Sequence, residues 1–291
     1  MTGEINLLEK LPKPAGSSRE LNHKRVGWIL MTVFLAVGLL ANLFTSTLMD
    51  HIQPDEPLAI LVYTSLGPMF GAPLACLCIA GMLQQPWYIR MVITGVSVAF
   101  FASAFAIGAS ISSEFEMLNP GELVPMIPIL TLGCCLPFLT VRHLRDWQLV
   151  FESLGDLPSR QNLSVAGLMI ATAVAGFCIV STQMCPQPEI GFIVAAIVAG
   201  VGFCVFLPMF GFVMRSNSPV IAMLVCYIIG GILGVLVLGG INYFVSILSG
   251  YGRLFGFGHS IGMMALFFAM GVASCRRLGA KLVDRNDMIR Q

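Results

Sequence analysis

From residue 26 onward the chain alternates between long stretches without Asp, Glu, Lys or Arg and short patches that hold nearly all of them. Eight uncharged stretches stand out, at 26–48, 57–83, 91–111, 123–141, 163–182, 190–214, 219–249 and 254–275. About 20 helical residues cross a hydrocarbon core of about 30 Å, and each stretch meets that length or nearly so. The runs are continuous rather than alternating every second residue, which predicts helices and argues against membrane-barrel strands. The expected fold is therefore all-α, a polytopic transmembrane helical bundle of eight spans. The stretch 219–249 exceeds one crossing. We expect it to leave the bilayer near Gly239 and Gly240, with Asn242 and Tyr243 at the interface or on a tilted extension.

Composition supports a bilayer as the solvent. The chain is 57% hydrophobic and 11% charged, with a mean hydropathy of +0.86. Soluble domains carry about 25% charged residues, and a water-facing surface could not hide so much apolar side chain. A net charge of +1 offers no basic face for nucleic acid. The first 25 residues are polar, and the 23-residue run after them is too long for the core of a cleaved signal peptide, so it reads as a retained span. Nine cysteines, an odd number without C-x-x-C spacing, do not suggest a disulfide framework.

Lys and Arg give the orientation. With eight spans, one side receives Lys10, Lys13, Arg19, Lys24, Arg25, Arg90, Arg142, Arg145, Arg160, Arg215, Arg276, Arg277, Lys281, Arg285 and Arg290. That is 15 of the 16 basic residues; Arg253 alone falls opposite, among Asp50, Asp55, Glu56, Glu114, Glu116, Glu122 and Glu189. The positive-inside rule places both termini in the cytoplasm. The organisation expected is a disordered cytoplasmic tail (1–25), four spans (26–141), a cytoplasmic connection (142–162), four more spans (163–275) and a basic tail (276–291).

In the central connection, Leu144, Trp147, Phe151 and Leu154 recur at spacings of three and four, with Arg145, Asp146, Gln148, Glu152 and Ser153 between them. This pattern predicts an amphipathic helix of about three turns in the headgroup layer. Short matches relate the two sets of four spans. Ser46-Thr47-Leu48-Met49 parallels Ser181-Thr182-Gln183-Met184, and Pro68-Met69-Phe70-Gly71 parallels Pro208-Met209-Phe210-Gly211. A 4+4 parallel internal repeat would give such a pattern.

The segment Leu144-Arg145-Asp146-Trp147-Gln148-Leu149-Val150, followed by Arg160-Gln161-Asn162-Leu163-Ser164-Val165-Ala166-Gly167-Leu168-Met169, resembles the lead-in to a membrane span in uncharacterised multi-pass proteins of planctomycete bacteria. Here Leu163 replaces the aromatic of that pattern, and Ala166-Gly167 replaces its Arg-Asp pair. The resemblance implies a bacterial inner-membrane protein and assigns no activity.

Ionisable groups buried in hydrocarbon are costly and tend to be functional. Within the eight runs His259 is the one such Asp, Glu, Lys, Arg or His. Proton relays, paired carboxylates and lysine nucleophiles are therefore not expected. No metalloprotease, nucleophile-elbow or Walker motif occurs. Gly256-Phe257-Gly258-His259-Ser260-Ile261-Gly262 has neither the spacing nor the preceding strand of a dinucleotide loop. His51 and His259, with Met49, Met117, Met184 and Cys185, could supply a copper site if their spans were neighbours; solvated histidines and packing methionines are the reading we expect. Cys76, Cys78, Cys134, Cys135, Cys204 and Cys226 are expected to pack rather than react.

Gly67/Gly71, Gly230/Gly234, Gly252/Gly256 and Gly258/Gly262 stand four apart and predict close helix packing. Pro68, Pro73 and Pro208 predict kinks in the second and sixth spans. Asn42, Thr45, Ser46 and Thr47 could line a neutral site beside them. The expected function is a non-catalytic structural or complex-forming membrane component. No catalytic, cofactor or metal residue is assigned. Its partners would be the lipid bilayer and a homo-oligomer or membrane protein, not nucleic acid. The alternatives are a carrier or channel for a small neutral or lipid-like substrate, and a metal-binding or redox membrane protein.

Overall fold

A computed structural model describes residues 18–52, 58–111, 137–138, 140–142, 144, 147–151, 202–245 and 251–283. Within them α1 spans Ser18–His51, α2 Ala59–Met82, α3 Trp87–Ile111 and β1 Gln148–Phe151. A π-helical turn, Gly202–Phe206, leads into α4, Leu207–Arg215; α5 (Pro219–Val245), α6 (Tyr251–Arg277) and β2 (Ala280–Val283) follow.

Among the described residues, five helices are long and apolar enough to cross a membrane: Lys24–Met49, Ala59–Met82, Val92–Ile111, Pro219–Leu236 and Phe255–Arg277. They correspond to the first, second, third, seventh and eighth runs. The sixth is described over residues 202–214, where the shorter apolar helix Cys204–Arg215 begins. Most of the fourth run and all of the fifth lie outside the described residues.

The helices are apolar on the outside as well as the inside. On α5, Leu224, Ile228, Ile232 and Leu236 stand four apart and all are exposed. On α3, Val92, Val96, Ile107 and Ile111 are exposed too. Aqueous solvent would penalise such faces, whereas lipid would not. The chain is accordingly a helical membrane protein.

Helix α6 occupies the middle, against α2 and α5 along its length and α1 near its C-terminus. Small residues allow this. A Cβ at Gly67 or Gly71 of α2 would meet the α6 backbone at Met263 and Met264. A Cβ at Gly230 of α5 would come within 3.0 Å of Ile261 O, and one at Gly262 of α6 within 2.9 Å of Tyr227 O. The predicted glycine pairs on α2, α5 and α6 thus pack within the bundle; Gly252 lies outside the described side chains. These contacts fix directions. Residues 67, 71 and 75 meet 263, 264 and 271 in order, so α2 and α6 run parallel, whereas α5 and α1 run antiparallel to α6.

The segments assigned to one side by charge do gather at one end. Gly27, beside Lys24 and Arg25, packs on Arg277 and Leu278. Arg90 donates to Gly81 O at 3.1 Å, and Arg142 donates to Leu83 O. Both carbonyls belong to the end of α2, where the helix dipole favours positive charge. Burial pulls the Arg90 guanidinium below the usual arginine range. Arg276 likewise caps α4, donating to Val213 O at 3.2 Å and to Ser216 O. Arg215 lies over the Trp147 ring, 5.4 Å from its centre. The fully buried Phe34, Phe138, Phe210 and Phe268 fill the core towards this arginine end.

Two expectations are corrected here. The central connection is not an amphipathic helix over residues 148–151: β1 is a strand, antiparallel to β2, with Gln148 opposite Val283 and Phe151 opposite Ala280. Leu149 also bridges Leu83, and Gln84 N donates to Leu149 O at 3.1 Å. The helical reading left Leu149 without a role, although it is buried at 1% exposure. Strand pairing satisfies the backbone at the end of α2 and inserts Leu149 into the core. The second correction concerns the N-terminal tail. Helix α1 begins at Ser18, ahead of the apolar run. At the other tail, α6 ends at Arg277 and Gly279, at φ 95°, makes the left-handed turn into β2.

The sixth run is irregular as expected. Pro208 has no N–H and its ring crowds the preceding turn, and the wider π turn of Gly202–Phe206 accommodates it. The two Pro-Met-Phe-Gly copies are placed differently. Phe70 is 53% exposed in the middle of α2, whereas Phe210 is fully buried in α4.

Candidate functional site

Three helices meet at His259, towards the end of the bundle opposite the arginines. The ring lies on α6 between α2 and α5. Its Nε2 is 2.9 Å from Thr64 Oγ1 of α2, and its Nδ1 is 2.8 Å from the Tyr227 hydroxyl of α5. The Tyr227 and His259 rings stand edge to face with centres 6.0 Å apart. Ser260, one residue on, donates to Tyr63 O of α2 at 2.9 Å and to Gly256 O at 3.1 Å. Gly256 leaves room for the Tyr63 ring, since a Cβ there would lie 2.3 Å from Tyr63 Cε2.

The donors in this cluster are ordered. Thr64 has one hydroxyl hydrogen and donates it to Ile60 O at 2.6 Å. Its oxygen therefore accepts from His259 Nε2–H. Nδ1 then carries the lone pair and accepts from Tyr227 O–H. The chain of bonds runs from Tyr227 through a neutral imidazole to Thr64 and ends on the Ile60 carbonyl. Every polar atom in it has a partner, as an apolar setting demands.

Among the described residues, the other candidates do not join this cluster. His51 ends α1, and its Nδ1 lies 2.9 Å from Thr47 O of the same helix. Met49 is in the same last turns of α1. Met117, Met184 and Cys185 lie outside the described residues, and among the described residues no group of three or more His, Cys, Asp or Glu could hold a metal. Cys76, Cys204, Cys226 and Cys275 are free thiols, and Cys78 is buried in the core; Cys134 and Cys135 lie outside the described residues.

Asn42, Thr45 and Ser46 are buried. Asn42 Nδ2 donates to Gly38 O at 2.8 Å and to Met69 O of α2 at 3.1 Å. Met69 is four residues before Pro73, which has no N–H, so its carbonyl lacks the usual helical donor. Asn42 supplies that donor. Thr45 donates to Ala41 O at 2.6 Å within α1.

Tyr227 and Thr64 were not singled out from the sequence. The available signal was general: a histidine within an apolar run needs partners for both ring nitrogens. Choosing them requires the registers of α2 and α5 against α6.

No family model, curated protein or solved structure matches the chain. The class it belongs to, a membrane protein built of apolar helices, therefore rests on its own physical pattern.

Proposed function

We propose that the chain is a multi-pass protein of a bacterial cytoplasmic membrane, with both termini inside, acting as a non-catalytic, complex-forming component. One observation carries the functional part. The buried side-chain donors of Asn42 and Ser260 and the His259 cluster connect one helix to the next, through a carbonyl or through each other. Polar groups committed in this way tie helices together.

The gathering of basic segments at one end supports the orientation through the positive-inside rule. Eight passes agree with the directions of the described helices. Gly108 of α3 packs on Leu43 O at the far end, whereas Phe138 lies 3.8 Å from a Cβ position at Gly81, at the arginine end. The bacterial setting rests on the resemblance around residues 142–169.

Extraction in a mild detergent, followed by cross-linking and mass measurement, tests the functional reading. A discrete homo-oligomer or a stoichiometric membrane partner is expected, and a bare monomer at every detergent concentration refutes it. Reporter tags on the two termini should both read the cytoplasm.

The π turn above Pro208 favours a second reading, a carrier for a neutral or lipid-like substrate, because irregular helices in membranes often mark such sites. Pro208→Ala should then change uptake into proteoliposomes; equal uptake by empty and loaded vesicles rules the carrier out.

A further inference from the structure

We propose that the corner where α1 meets the end of α6 holds the headgroup of an acidic phospholipid, with its phosphate on Arg25 and an acyl chain along the outer face of α1. Gly27 brings the two helices together. A Cβ there would lie 3.1 Å from the Arg277 carbonyl carbon and 3.1 Å from Leu278 Cδ2. Lys24 precedes Gly27 by one turn of α1, and Arg276 and Arg277 end α6. Lys24 and Arg277 are half-buried at this corner, whereas Arg25 is exposed.

The charge of the corner selects the headgroup. The two segments that meet, residues 18–28 and 276–283, carry Arg19, Lys24, Arg25, Arg276, Arg277 and Lys281 against Glu20. Several of these cations are already engaged: Arg276 caps α4, and Lys24, Arg277 and Lys281 make further interactions. The site does not need them free, because Glu20 offsets one cation of the six and the remaining charge still acts through space. Arg25 stands at the exposed edge of this surplus. Its guanidinium presents paired N–H donors to two phosphate oxygens. A zwitterionic headgroup brings an ammonium into the same positive surroundings and is disfavoured, whereas a headgroup whose one charge is the phosphate is not.

The apolar part of the lipid has its own place. From Arg25 the exposed positions of α1 continue at helical spacing through Trp28, Ile29 and Val33 to Leu40 and Phe44. Trp28 is 65% exposed, and indole rings favour the headgroup layer. One leaflet takes half of a core of about 30 Å, or about ten helical residues. A chain hung from a phosphate on Arg25 therefore covers Trp28, Ile29 and Val33. A free phosphate ion offers the same oxygens without the chain, so this stripe favours the lipid. The site requires the chain to lie in a membrane and is independent of the partners proposed above.

The test uses the full chain in nanodiscs of phosphatidylcholine with a minor share of phosphatidylglycerol, one lipid at a time carrying brominated chains that quench nearby indoles. The Trp28 signal is read in each background as the difference from its Trp28→Phe counterpart. Per mole, brominated phosphatidylglycerol should quench Trp28 about tenfold more than brominated phosphatidylcholine, and Arg25→Gln should cut that preference about fivefold, the effect of one basic residue at a membrane surface. Arg215→Gln removes the same charge beside Trp147 and should cost less than half as much. Both arginines are exposed, so the fold tolerates either change. Quenching that follows the bulk lipid composition overturns the site. Equal losses in Arg25→Gln and Arg215→Gln overturn it too, since the preference is then diffuse surface charge. Inorganic phosphate should leave the preference as it is in chloride of equal ionic strength; its loss in phosphate alone assigns the corner to the free anion and overturns the lipid.

Discussion

Replacing Asn42 by Leu keeps the number of side-chain heavy atoms and removes the Nδ2 donor, which also reaches Gly38 O of its own helix. In the structure that donor serves Met69 O, the carbonyl that Pro73 leaves without a helical partner. Asn42 is 4% exposed, so solvent cannot take over. An unsatisfied buried acceptor costs about 1–3 kcal/mol, while measured interhelical bonds in membranes lie nearer about 0.6 and reach roughly 1–2 kcal/mol. A loss of about 1–2 kcal/mol is expected for Asn42→Leu. The second half of a double-mutant cycle is Pro73→Ala, which returns an N–H to the position four residues after Met69. In that background Asn42→Leu should cost less than half as much, a coupling on the order of 1 kcal/mol. Unfolding in mixed micelles at rising mole fractions of a denaturing detergent, followed by circular dichroism, measures all four proteins. If Asn42→Leu is equally damaging with and without Pro73, the residue acts through shape alone and the carbonyl account is wrong.

Other perturbations probe the packing and the arginine end. Gly262→Leu should destabilise by about 1–3 kcal/mol through overpacking against α5, whereas Gly95→Leu, where a Cβ meets nothing within 4 Å, should leave the thermal midpoint unchanged. Arg276→Met should lower stability by about 1.5–3 kcal/mol by uncapping α4, with Arg276→Lys recovering part of it. Removing residues 280–291 takes away the partner of β1. Limited proteolysis should then cut near Leu149, which resists cleavage in the full chain.

Features read from runs of one residue type survive the comparison with the structure. The five described spans follow from uncharged stretches, and the arginine end follows from where the remaining charges fall. Helix contacts at Gly67, Gly71, Gly230 and Gly234 follow from spacing alone. Features that depend on distant pairing were not legible. The partner of β1 lies some 130 residues further on, and without it Trp147 and Phe151 fit a helical stripe as well as a strand. Asn42 looked like the lining of a site because its acceptor is a backbone carbonyl, which sequence does not display. Pro73 marks that carbonyl, but only the register of α1 against α2 assigns the donor. His259 was visible as an anomaly, and its meaning came from Tyr227 and Thr64.

The helix at the centre of the bundle is also the last of the described helices to leave the ribosome. Chains emerge N-terminal end first, so α1, α2, α3 and α5 enter the membrane before α6 can fill the space between them. The glycine faces of α2 and α5 then wait against lipid, and β1 waits for the strand that follows α6. The described bundle therefore closes only once α6 has entered the membrane. Nascent chains stalled before Tyr251 should be open to membrane proteases, whereas released chains should resist them.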